Sequence, residues 1–363
     1  MAPHCLLEGG GGTCVECLDD GDCMAVGKLA CDADTRTCRN CVEHAGCPGS
    51  QACLPEGTCG DDTTVIYVAP TGVDTGTCPV TAPCKTIAFA LGRVTETRYH
   101  VKLTGVLAET VTIVGKNVVL IADPNTKLTG GATTLKIQDS TVSVYDLEIA
   151  CSAMGNAVKS EMGSTTQLRD IYVHGCAGKD PAIDAKGGFI GISRARIGEC
   201  VSGGIATDGS AKFSITNTLV YRNGTAMSKK GAVTIGASAA GTNRFEHNTI
   251  VHNTAKTGPN VAGGVGCTLT NLLEMPHNII AGNTTTTGIG DNTIGGCNFG
   301  TSSVTADTAA YAFKSEIAPY DYHITAGSSA IDKVDVSTVA DDVDSEFRPQ
   351  GPRKDLGADE LRQ

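Results

Sequence analysis

Between residues 145 and 283 a short pattern returns six times: a few apolar residues, then Cys or Asn, then a Gly-rich turn. The copies are 147–151, 171–176, 195–200, 218–223, 249–253 and 278–283, ending at Cys151, Cys176, Cys200, Asn223, Asn253 and Asn283. The steps between those end points are 25, 24, 23, 30 and 30 residues. Such a period means stacked units, each too small to bury a core alone. The runs 101–103, 111–114, 118–122 and 135–137 are short and rich in β-branched residues. Gly, Asn, Asp or Pro interrupts them every few residues, as between strands. Helical spacing is confined to Lys85-Thr86-Ile87-Ala88-Phe89-Ala90-Leu91, which predicts a short helix with Ile87, Ala88 and Leu91 on one face and Gly92 as its stop. This helix is of a size to cover the open end of a stack.

Successive coils of a parallel stack lie about 4.8 Å apart, so equivalent residues pile into columns. The expected fold is therefore all-β, a parallel β-helix of about ten coils at roughly 25 residues each. With 4% aromatic residues and no Trp, its core must be aliphatic. The net charge of −11 argues against nucleic acid or an anionic membrane as partner, since both demand a basic footprint. No run of 18 apolar residues is present, so no membrane insertion is expected.

Ten of the 17 cysteines fall in the first 59 residues. That density is ordinary in secreted proteins and rare in reducing compartments, so an extracellular or cell-surface location is expected. Met1-Ala2-Pro3 runs almost at once into this segment without a signal peptide, as expected of a chain whose leader has been removed. Cys14, Cys17, Cys23 and Cys31 are echoed by Cys38, Cys41, Cys47 and Cys53, an internal duplication. Residues 1–62 are read as a disulfide module and 63–363 as the β-helix, closed by 311–363. A four-Cys zinc site at Cys14, Cys17, Cys38 and Cys41 has suitable spacing, but it leaves the interleaved cysteines unexplained. Cys78 and Cys84 flank a Pro-bearing loop and are expected to pair.

Tyr67-Val68-Ala69-Pro70-Thr71-Gly72-Val73-Asp74, then Pro83-Cys84-Lys85-Thr86-Ile87, resemble the opening of the pectate-lyase-like superfamily of secreted right-handed parallel β-helices. The end is similar to that group too: Ser329-Ala330-Ile331-Asp332, an acidic stretch before Arg348-Pro349, and Asp355-Leu356-Gly357-Ala358-Asp359-Glu360. The resemblance spans roughly residues 65–361 and implies architecture rather than activity, because the group holds lyases, hydrolases, epimerases and proteins without known chemistry. The paired-Asp and Arg-Ile-Lys signatures of its polygalacturonase-like hydrolases are absent.

The columns supply candidate sites. Asn at a sharp turn can adopt left-handed φ and bond along a column, so Asn223, Asn253 and Asn283 form an expected ladder. Of Cys151, Cys176 and Cys200, two can bridge and one is left free; the alternative is that all three are small buried fillers. Cys267 and Cys297 are 30 apart, one coil, and are expected to pair. If Ile171 and Val173 point inward, Asp170 sits over Arg194 and Tyr172 over Arg196, with Asn217, Leu219 and Tyr221 next. One reading is an exposed ion pair and a cation–π contact of about 1 kcal/mol or less each. The other is a sugar-binding face with Tyr172 and Tyr221 as platforms and Arg196, Arg222 and His252 as anchors. His247 and His252 are expected on opposite faces of one strand.

By resemblance, a lyase of this fold uses calcium-bound carboxylates and a basic Lys or Arg beside a uronate. Asp180, Asp184 and Asp208 are then the candidate carboxylates and Lys159 or Lys186 the base. The competing reading is a solvated, salt-bridged loop edge. Asp342 and Asp344 are candidate calcium ligands through hard oxygens. No cofactor is required by the sequence, and calcium is the one it suggests. Three functions are expected: a non-catalytic surface protein binding extracellular glycans or cell-surface components, a calcium-dependent lyase of acidic glycans, and a self-associating filament subunit.

Overall fold

The computed structural model describes residues 41, 43–47, 49–151, 155–236, 243–268 and 273–362, and before these only the backbone of strands at 4–8, 11–15, 30–31 and 38–39. Pairings of Cys5, Cys14, Cys17, Cys23, Cys31 and Cys38 lie outside the described residues. The chain divides into two compact units, Met1–Thr104 and Gly105–Gln363. The division falls later than the expected residue 62.

In the first unit, strand Val65–Val68 runs parallel to His100–Leu103. The buried Lys102 sends Nζ 2.7 Å to Gln51 O, and Gly60 N donates to Ala52 O. These bonds join the Cys-rich segment to the first strands and explain the later boundary. Disulfides Cys41–Cys53 and Cys47–Cys59 interleave, so Cys41 is not available to a zinc site. Cys31 faces Cys38, and Cys53 faces Cys59, across antiparallel pairs, so the duplication extends to the backbone. Cys78–Cys84 forms as expected. Asp74 organises the turn ahead of the helix: Oδ1 accepts from Lys85 N and Thr86 N, and Oδ2 from Thr86 Oγ1. The helix Ile87–Leu91 starts at the Thr86 cap and buries Ile87, Ala90 and Leu91. Ala90 takes the place expected of Ala88, because the i, i+3, i+4 positions share a helix face.

The second unit is a parallel β-helix. Eight strands form one sheet: Val111–Val114, Thr133–Gln138, Asn156–Ser160, Ile183–Lys186, Ile205–Asp208, Val233–Ile235, Val265–Cys267 and Thr293–Gly295. A second sheet carries Asn117–Ala122, Thr141–Tyr145, Thr165–Arg169, Phe189–Gly198, Lys212–Tyr221, Thr249–Val251, Ile279–Ala281 and Ser303–Thr305. Eight coils rather than ten result, because residues 63–104 fall in the first unit and the steps lengthen to 30 residues after Asn223. Register is unbroken along the inner columns: Val118, Val142, Thr166, Ile190 and Phe213 form one, and Leu120, Val144, Leu168, Ile192 and Ile215 another. All ten are buried. Apart from Thr166, burial of such apolar side chains is worth about 1.5–3 kcal/mol each.

Successive coils turn at two sharp corners in left-handed backbone, six coils at the first and five at the second. One corner column is Asp146, Asp170, Arg194, Asn217, His247 and His277; the other is Gly175, Glu199, Arg222, His252 and Gly282, with φ between 48° and 71°. The left-handed residue thus precedes the repeat's Cys or Asn, rather than being the Asn itself. The Asn side chain instead satisfies the corner's stranded amides, which secures the strained residue before it. His247 and His252 sit at different corners, not on opposite faces of one strand. Asn253 Oδ1 accepts from Asn223 N at 2.8 Å, and Asn283 Oδ1 accepts from Asn253 N at 3.0 Å. A second ladder, Asn248 to Asn278, follows the first corner column. Cys151–Cys176 and Cys267–Cys297 are bridged, and Cys200 is free and buried.

Candidate functional site

The closing segment crosses the face that carries the predicted sugar site. Arg194 pairs with both oxygens of Asp170, and its Nη1 reaches Asp341 Oδ2 at 2.7 Å. This pair was expected to be exposed, but the Arg194 side chain is only 11% exposed because Asp341 lies over it. Asn217 Nδ2 donates to Asp341 O at 2.8 Å, which extends the clasp by one coil. Tyr172 stands beside Arg196 in register. The expected cation–π contact is replaced: Tyr172 stacks on His174 at 4.5 Å, and Arg196 Nη2 pairs with Asp344 Oδ1 at 2.8 Å.

Tyr221 is buried and does not form an open platform. Its ring lies on Gly198, where a Cβ would come within 2.5 Å of it. Tyr322 and Tyr320 pack against the same ring at 5.2 and 6.2 Å. Arg222 lies 4.2 Å over Tyr320 and donates to Tyr322 Oη and Glu316 O. His252 Nε2 is 2.8 Å from Glu316 Oε2. Arg222 and His252 therefore hold the closing segment down. Sequence reasoning missed this because a non-repeating tail has no register with the coils. A signal did exist: Tyr311, Tyr320 and Tyr322 crowd together in a chain with 8 tyrosines and no Trp.

What stays open on this face is a pair of hollows that share Arg196. One, of about 430 Å³, is lined by Arg196, Lys314, Tyr320, Asp321, Tyr322 and His323 among others. The other, of about 280 Å³, is lined by Asp170, Tyr172, Arg194, Arg196, Asp344 and Ser345 among others. Their walls alternate tyrosine faces with guanidinium and carboxylate groups.

His323 sits between two carboxylates. Nδ1 contacts Asp321, and Nε2 is 2.7 Å from Asp344 Oδ2, an ion contact whose hydrogen-bond alignment is poor. Asp344, with help from Asp321, lifts the imidazole to about 9 against the effect of burial. Asp321 is held down to about 2, where bonds from His323 and Lys314 outweigh burial. A raised base stabilises the fold below its unfolded value near 6.5 and loses that contribution as pH rises through about 9. A lowered acid contributes above about 4 and loses it as pH falls toward 2. Stability, and with it the thermal midpoint, is thus expected to plateau between about pH 4 and 6.5 and to fall toward pH 9 and above, the imidazole contributing at most about 3 kcal/mol of stability. Unfolding midpoints across pH test this; an unchanged alkaline limb in His323→Gln refutes the clamp.

The other predicted carboxylates are spread along the Ile183–Lys186 sheet. Lys159 and Asp184 are neighbours in register, but Asp208 aligns with Lys186 rather than Asp184. Asp184 is buried, and neither carboxylate oxygen has a hydrogen-bond partner; Lys186 Nζ is 3.4 Å from Oδ2. Burial lifts its carboxyl above the ordinary range, with Lys186 and Lys230 opposing. Lys159 pairs with Glu161 at 3.2 Å, and Asp208 with Lys230 at 3.0 Å. Asp180 is exposed. Asp342 is buried, its oxygens accepting from Asp344 N, Glu346 N and Glu360 N, so it fastens the acidic loop from within. Asp344 faces Arg196 and His323. No described helix is long and apolar enough to cross a membrane.

No protein-family model matches the sequence, and no curated protein matches it. The fold is similar to that of the crystal structure of pectate lyase Pel9A, with a TM-score of 0.52 and 14% identity over 82% of this chain and 96% of that one. The chain accordingly has a pectate-lyase-like parallel β-helix fold, as the sequence motifs implied.

Proposed function

We propose that this is an extracellular glycan-binding protein that acts without catalysis and grips an acidic saccharide at the paired hollows around Arg196. The observation that supports it is their composition: Tyr320 and Tyr172 offer apolar faces, and Arg196 with Lys314 offers cations to a carboxylate or hydroxyl. Sugars are recognised by that pairing of flat apolar contact with polar anchors. The five described disulfides suit an oxidising compartment. On a glycan array, Arg196→Ala is expected to weaken binding at least tenfold, about 1.4 kcal/mol or more, while the exposed Val336→Ala leaves it unchanged. Equal binding by wild type and Arg196→Ala would remove the hollows from consideration.

A second reading is a calcium-dependent lyase of acidic glycans. It is favoured by Asp184, a buried carboxylate without hydrogen-bond partners beside Lys186, on a fold shared with a pectate lyase. Incubation with uronate polysaccharides, with and without calcium, separates the two. Unsaturated product seen by ultraviolet absorbance, and lost in Asp184→Ala, refutes the non-catalytic reading; binding without product refutes the lyase.

A further inference from the structure

Away from the hollows, Glu246, His247 and His277 bring one carboxylate oxygen and two imidazole nitrogens within 4.8 Å of one another. The two histidines are successive members of the left-handed corner column, one coil apart, and their ring centroids are 5.1 Å apart. Glu246 precedes His247 in the same coil, with Oε2 at 3.7 Å from His277 Nδ1. His247 is completely buried, yet neither ring nitrogen has a hydrogen-bond partner, and His277 Nδ1 also lacks one. Leaving buried polar atoms unpaired costs about 1–3 kcal/mol each.

We propose that Glu246, His247 and His277 form a divalent transition-metal site, of zinc type, that ties two neighbouring coils together beneath the closing segment. Two imidazoles and one carboxylate are a donor set that zinc accepts, whereas calcium and magnesium demand oxygen. Nearby cations do not occupy the space. Arg348 is bonded to Glu360 and to the carbonyls of Asp341, Asp355 and Gly357. Lys354 Nζ is bonded to Ser337 O and Val339 O. Arg244 binds the far oxygen of Glu246, Oε1, which orients the carboxylate in the manner of an outer-sphere partner. Glu246 and His277 keep 11% and 13% of their side chains exposed, enough for an ion to enter at that edge.

The test uses the full chain with its disulfides intact, stripped by chelator and titrated with Co²⁺. One equivalent is expected to produce visible d–d bands with no near-ultraviolet thiolate band, to be displaced by Zn²⁺ and to be indifferent to Ca²⁺ and Mg²⁺. His277→Gln and Glu246→Gln should each weaken Co²⁺ binding by about tenfold or more, whereas His323→Gln, in the other His–carboxylate group, should not. Should those variants fail to fold, X-ray absorption of the Zn²⁺ form of the wild type decides, with two imidazoles and oxygen expected around the metal. Absence of stoichiometric binding, thiolate ligation, or undiminished affinity in His277→Gln overturns the proposal.

Discussion

Replacing Asn253 with Ala is expected to cost on the order of 4 kcal/mol and to lower the thermal midpoint by roughly 10 °C. The side chain is buried and fully used. Nδ2 donates to Val220 O, Val251 O and Asn283 Oδ1, and Oδ1 accepts from Asn223 N and Asn223 Nδ2. Truncation strands these groups in the wall of the stack, where water cannot replace the lost partners. It also removes the support of His252, held at φ 56° just before it. Thr254→Ala, at the half-buried next residue, whose hydroxyl meets only that of Thr284, should cost far less. Because stacked coils can open piecemeal, amide exchange around residues 220–225 and 279–284 is the second readout. A loss below about 1 kcal/mol with unchanged exchange would show that the ladder follows from the fold and does not hold it.

The ladder was legible because a column writes itself into sequence at one coil's spacing. Asn223, Asn253 and Asn283 declare it directly, and Cys267 with Cys297 declare their bridge by the same step. The second ladder was equally open to reading, since Asn248 and Asn278 stand five residues before Asn253 and Asn283. It went unread because no Cys marks its earlier members, Leu147, Ile171, Ala195 and Thr218. The candidate site was only half legible. Register placed Tyr172 beside Arg196 and Asp170 beneath Arg194, as alternation requires. Whether that row meets solvent depends on a tail that repeats nothing. Alternation alone therefore offers Tyr221, Arg222 and His252 as binding groups, whereas in the fold they are the floor on which Tyr320, Tyr322 and Glu316 rest.

The same tail shows how two motifs near the chain's end act on each other. Arg348, of the Arg348-Pro349 pair, is buried against Glu360, the last residue of the Asp355–Glu360 motif. Its Nη1 is 2.9 Å from Glu360 Oε2, and its remaining donors reach the carbonyls of Asp341, Asp355 and Gly357. Glu360 in turn accepts from Gln350 N and Asp355 N. One guanidinium thus fixes both the loop that brings Asp341 to Arg194 and the segment that lays Ala358 on Thr249.

Arg348→Met is accordingly expected to cost about 3–5 kcal/mol, because it leaves a carboxylate buried without its cation. The double variant Arg348→Met with Glu360→Gln should recover a substantial part of that loss, since removing both charges relieves the uncompensated burial. In the single variant the closing segment should loosen before the coils do. Limited proteolysis should then cut within residues 311–362 while the coil region resists, and the glycan binding proposed at Arg196 should fall with the loss of Asp344 and Tyr320 from the hollows. Proteolysis resolved by mass spectrometry, run beside denaturant unfolding, separates these steps. Equal stability of single and double variants, or a closing segment as protected in Arg348→Met as in the wild type, would show that Tyr322, Arg222 and Glu316 alone are sufficient to hold the tail.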